Sequence, residues 1–108
     1  MAQPFVADAE YTRLRALSDT AFAAGHVEVA YYLLMAAMHC AEDTHDASSL
    51  REVAQVARTM LRTLDTENPS HRLASVSSLG RGVPNLFEEG AKTAELTIPR
   101  VEAERRTT

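Results

Sequence analysis

The sequence predicts an all-α fold: an antiparallel helical hairpin, a third helix packed beside it, and an irregular C-terminal tail. Three observations carry this. Apolar residues recur at helical spacing from Ala9 to Asp65. Ala, Leu and Met are frequent there, and the one glycine, Gly25, falls between periodic stretches rather than inside one. A polar segment at residues 43–48, DTHDAS, makes a second division.

The first helix is expected from Ala9 to about Ala24, with Asp8 as its N-cap. Tyr11, Leu14, Leu17, Ala21 and Ala24 form its stripe, with Phe22 beside them; Thr12, Arg13, Arg15 and Asp19 lie off it. Pro4 argues against helix in the lead-in, where Phe5 and Val6 are expected to pack back on the domain. Gly25 suits the left-handed position that closes a helix. The next helix starts at His26 or Val27, so the connection is short enough to force antiparallel neighbours.

That second helix, VEVAYYLLMAAMHCA and on to Glu42 or Asp43, is the centre of the chain. No residue from Val29 to Met38 is charged. The run is too short for a bilayer, which needs about 20 apolar residues. A helix apolar nearly all round is buried on most sides. Ser49 and Glu52 then form a capping-box pattern for a third helix ending near Asp65. Leu50, Ala54, Ala57, Leu61 and Leu64 make its stripe, widened by Val53, Val56 and Met60; Arg51, Arg58 and Arg62 mark its wet side.

Beyond Asp65 the character changes. Residues 66–70, TENPS, read as a stop, and residues 70–84 are rich in Ser, Gly and Arg without a period. From Asn85 to Leu96 only a weak helix is expected, because Gly90 costs about 1 kcal/mol relative to Ala. Pro99 is expected to end it. The division is thus a helical domain at 1–65 and an irregular tail at 66–108. Leu73, Val76, Leu79, Val83, Leu86, Phe87, Leu96 and Ile98 are more apolar content than a solvated tail carries, so the tail is expected to dock on a helical surface, its own or a neighbour's.

Composition bounds the function. A chain of 108 residues makes one domain. With 6% aromatics and no Trp, its core must come mainly from Ala, Leu, Val and Met. A net charge of −4 argues against a nucleic-acid binder working through a general basic surface. Residues 1–45 hold two Arg against six acids, which favours basic or neutral partners. Cys40 is the single cysteine, so no intrachain disulfide forms, as suits a reducing compartment. The opening MAQPFVADAE lacks a signal-peptide pattern, and a cytoplasmic protein without a membrane segment is expected.

From Tyr11 to Glu42 the chain resembles a tetratricopeptide (TPR) repeat. With Gly25 at the glycine between the helices, Leu14 and Leu17 fall at packing positions of the first helix, and Ser18 at the small residue that follows. Ala30 and Ala37 take the two small positions of the second helix, and Leu34 the large position between them. The sequence departs from the pattern at Ala21, where Tyr is usual, at Val29, where an acid is usual, and at Glu42, where Pro is usual. The third helix fits a following first helix only after a shift of about two residues. The resemblance implies protein or peptide binding through the inner face of the first helix, here Thr12, Arg15, Asp19 and Phe22. Asp19 stands where an Asn that helps hold a peptide carboxylate would sit, so that mode is not expected.

His39, Cys40 and His45, with Glu42 and Asp43, are residue types that zinc takes. His39 and Cys40 are adjacent on a helix and point about 100° apart, and no CxxC or HExxH accompanies them. No metal, no cofactor and no catalytic constellation is expected. Gly80-Arg81-Gly82 follows no strand, which makes it a poor phosphate loop. The expected function is a non-catalytic interaction module or small adaptor. The alternative is an accessory subunit whose tail docks on a larger complex. The middle helix carries more apolar surface than two short neighbours can cover, which adds Tyr31, Tyr32 and Met35 to the partner-binding residues and predicts a homodimer or a place in an assembly.

Overall fold

The computed structural model describes residues 6–107. Five helices follow in order: α1 (Ala7–Ala23), α2 (Val27–Asp43), α3 (Ala47–Glu67), α4 (Ser75–Gly80) and α5 (Leu86–Thr107), with no strand among the described residues. The all-α class therefore holds. Pro4 and Phe5 lie outside the described residues, and Val6 is exposed rather than packed on the domain.

α1 packs on α2, α3 packs on α5, and α2 joins the two pairs by packing on α3. Two equivalent turns set the directions. Gly25, at φ +87°, lets the His26 N–H donate to Ala21 O at 2.9 Å. His45, at φ +55°, lets the Asp46 N–H donate to Ala41 O at 2.9 Å. Each turn satisfies carbonyls that a helix end leaves unpaired and reverses the chain within a few residues. α1 and α3 consequently run parallel, with α2 antiparallel to both.

Two of the expected caps change. α1 starts at Ala7 after Val6, which places Asp8 in the first turn rather than at the cap. α3 is capped by Asp46, whose carboxylate accepts from the Ser49 N–H (3.0 Å) and hydroxyl (2.7 Å). Glu52 is thereby released from the expected capping box and turns toward α1. At the α1–α2 crossing Ser18 is fully buried, and its hydroxyl donates to Ala30 O at 2.7 Å. Ala30 and Ala37 have no exposed surface, so the two backbones approach closely there.

The irregular tail is the main correction. Residues 75–80 and 86–107 are helical, and Leu73, Ala74, Phe87, Ala91, Ala94 and Val101 belong to the core. Asn85 accepts from the Glu88 N–H (3.2 Å) at the start of α5, while its amide donates to Leu73 O (2.8 Å). Asp65 closes the other end of this segment, accepting from the Ser75 N–H (2.8 Å) and hydroxyl (2.6 Å). The two helix breakers are overridden by packing. A Cβ on Gly90 would stand 2.8 Å from Met35 Cε, so α5 crosses close to α2 here and a larger residue would make the flexible end of Met35 shift. Pro99 removes one helical hydrogen bond, at about 3 kcal/mol, yet α5 continues through it. Beyond Pro99 the last turns are held by fully buried Val101 and by the pairs Arg100–Glu42, Arg51–Glu102 (3.2 Å) and His45–Glu104 (2.8 Å).

α5 also supplies the cover that α2 lacked on paper. Met38 is buried, and Tyr31 and Met35 pack against the core; Val29 and Tyr32, at 52% and 59%, stay exposed.

Candidate protein-binding groove

α1 and α3 run side by side but are tied together only toward their N-terminal ends. The Tyr11 hydroxyl donates to Glu52 Oε1 at 2.5 Å and lies 3.3 Å from Ser49 O. Arg15 Nε donates to the same Glu52 oxygen (3.2 Å), and its guanidinium also reaches Asp19 Oδ1 (3.0 Å). Burial, reinforced by the Glu52 hydrogen bond, raises the Tyr11 hydroxyl well above its ordinary value. The same hydrogen bond, with Arg15 beside it, holds the Glu52 carboxyl below its ordinary value.

Further along the pair, a groove of about 400 Å³ opens between the helices. Phe22 and Ala23 from α1 and Val56 and Met60 from α3 give it an apolar lining; Asp19, Gln55, Thr59 and Thr63 complete it. Phe22 and Val56 are half-buried and rest on the core, so the floor is formed in advance.

The residues expected to bind a partner fall on two surfaces. Asp19 and Phe22 line the groove, and Arg15 sits at its closed end. Thr12 is exposed, and its hydroxyl turns back to Asp8 O on its own helix (3.5 Å). Tyr31, Tyr32 and Met35 lie elsewhere, in a hollow between α2 and α5 with Met38, His39, Glu89, Gly90 and Thr93. There the Tyr31 ring meets Tyr32 and Phe87 edge-on, with centroids 5.3 and 5.6 Å apart. Ala23, Gln55, Val56, Thr59, Met60 and Thr63 were not anticipated as groove residues. The width of the α3 stripe, broader than one neighbour needs, signals Val56 and Met60; Gln55, Thr59 and Thr63 lie off it.

His39 is exposed beside Glu42 (3.2 Å), Cys40 is buried, and His45 pairs with Glu104 on α5. Burial, with Asp43 and Glu10 nearby, pushes the Cys40 thiol up and disfavours the thiolate. Among the described residues no group of three or more His, Cys, Asp or Glu side chains is placed to hold a metal ion. No helix among them is long and apolar enough to cross a membrane. Gly82, at φ +67°, closes α4, where the Val83 N–H donates to Ser78 O (3.1 Å).

No family model matches this chain, and no curated protein or solved structure matches it either.

Proposed function

We propose that the protein is a non-catalytic interaction module that takes a peptide segment of another protein into the α1–α3 groove. The observation that carries this is the pre-formed apolar floor of Phe22, Val56 and Met60 between two parallel helices. Its polar edges supply hydrogen bonds through Gln55, Thr59 and Thr63, and its one charged lining group, the Asp19 carboxylate, is paired with Arg15 (3.0 Å). Such a site suits an apolar side-chain anchor flanked by polar backbone.

The arrangement also supports a TPR-like reading. α1–α2 and α3–α5 are successive antiparallel hairpins, and the groove lies between the first helices of each. The long connection carrying α4 departs from that pattern. A cytoplasmic setting belongs to the same reading and rests on the lone unpaired cysteine. The alternative, an accessory subunit docking through its tail, keeps the exposed Val76, Leu79, Val83 and Leu96 as its support, while Leu73 and Phe87 are buried inside this chain.

The test is selection from a displayed peptide library against the whole chain, followed by affinity measurement on groove variants. Thr59→Arg and Phe22→Ala should each weaken selected peptides about tenfold or more while helical content stays unchanged. Peptides that bind both variants as well as the unaltered chain would refute the groove as the site.

A further inference from the structure

The two hairpins form a short stack with two end faces, and the faces differ in kind. The outer flank of α3–α5 is laced with ion pairs: Arg58 with Glu88 (3.3 Å) and Glu95 (2.6 Å), and Arg51 with Glu102 (3.2 Å). Glu88, Glu95 and Glu102 repeat every seven residues, so they lie along one side of α5. Paired charge dominates that end, as suits the terminal unit of a helical stack, although Leu96 on α5 is 80% exposed.

The opposite end is the outer flank of α1–α2. On α1, Tyr11, Arg15 and Phe22 face α3 or the core, and Ser18 faces α2. The stripe turned the other way is Leu14, Leu17 and Ala21. On α2, Tyr31, Met35 and Met38 face α5. The stripe away from it is Val29, Leu33 and Ala36. All six are apolar. Leu17 and Val29 are 54% and 52% exposed, and the other four are only partly buried and stand outside the core cluster. The nearest charged group on α1 is the Glu10–Arg13 pair (3.0 Å), which neutralises itself.

We infer that this flank is the contact surface of a two-fold homodimer. Three arguments select a second copy of the same face. The two helices have 17 residues each; side by side they are about 25 Å long and about 20 Å wide. Two such faces together bury roughly 1,000 Å², the threshold for a specific interface. A head-to-tail stack would press the Arg- and Glu-lined end of one copy onto this apolar flank and strand its charges. The face against itself matches apolar with apolar, which is the isologous, closed contact of a two-fold dimer. The α1–α3 groove lies on the other flank of α1, so it stays open, and the dimer presents two grooves.

Sedimentation velocity and light scattering on the whole chain, from low to high micromolar, test this. The expected result is twice the chain mass with reversible dissociation on dilution. Leu17→Arg and Val29→Arg change side chains that are already more than half exposed, so circular dichroism should stay helical while the dimer weakens by about tenfold or more. Leu79→Arg, on the exposed face of α4 (83%), should leave the mass doubled. A monomer at every concentration overturns the inference, as does a dimer that persists undiminished in both Leu17→Arg and Val29→Arg.

Discussion

Phe87 tests whether residues 86–107 belong to the core. It has no exposed surface and meets Tyr31 edge-on at 5.6 Å, so it ties α5 to α2 at the point where the chain returns from α4. Phe87→Ala removes a ring from a packed site, at about 3–5 kcal/mol including the lost aromatic contact. A domain of this size has only about 5–15 kcal/mol in total. At roughly 4–8 °C per kcal/mol, the midpoint should fall by about 12–40 °C. Urea unfolding followed by circular dichroism measures the free energy, and a thermal melt measures the midpoint. All helices should be lost in one transition, because α3 loses its partner when α5 leaves. Leu96→Ala, on the same helix but 80% exposed, is the control and should stay within about 0.5 kcal/mol. If Phe87→Ala costs less than about 1 kcal/mol, α5 is not part of the core, and residues 66–108 behave as the detachable tail that composition alone suggests.

Further outcomes follow from single contacts. Gly90→Ala should be close to neutral by urea unfolding: the helix gains about 1 kcal/mol, and the flexible end of Met35, 2.8 Å from the new Cβ, must move aside. Gly90→Leu should lose about 1–3 kcal/mol by overpacking; an unchanged midpoint would disprove the close α2–α5 crossing. His45→Gly relieves a left-handed residue and gives up only a half-exposed contact with Glu104, so a gain of up to about 1 kcal/mol is expected. Stability should also fall at both ends of the pH scale. The Tyr11 hydrogen bond and Arg15 hold Glu52 below its ordinary value; burial works against this at Asp46, but the Ser49 hydrogen bonds prevail and lower it too. The folded chain therefore binds these protons less readily than the unfolded one. Their stabilisation is present above about pH 4 and is lost as pH drops through the lowered values. Tyr11 has the opposite sign: its contribution is complete below about pH 10 and is lost as pH rises through the raised value. Tyr11→Phe should flatten the alkaline limb of a stability–pH profile; an identical limb would refute the assignment.

What the sequence made legible, and what it hid, divides along one physical line. α1, α2 and α3 were readable because local signals agree there: a helical stripe, a left-handed turn residue at Gly25, and a polar run before Leu50. Even so, Asp46 displaced Ser49 as the cap, because a carboxylate three residues before the Ser49 N–H competes for the same donor. The Tyr11–Glu52 contact that closes one end of the groove depends on that exchange and spans parallel helices, so no local rule points to it. α5 was hidden because its two breakers argue locally against helix, while what supports them is distant in sequence. Gly90 packs against Met35 and Tyr31 on α2. The helix past Pro99 is anchored by Glu42, His45 and Arg51 around the α2–α3 turn, 51 to 59 residues earlier in the chain. One local signal was available: Asn85, followed three residues later by Glu88, is a helix-start pattern directly after Pro84. Weighed against Phe87, Ala91, Ala94 and Val101, which fall at helical spacing, it outranks a single glycine of about 1 kcal/mol. A breaker inside an otherwise periodic segment is thus better read as a place where another helix comes close than as the end of structure. At Gly90 that reading puts α5 against α2, and covers the Tyr31–Met35–Met38 side of α2 from within the chain.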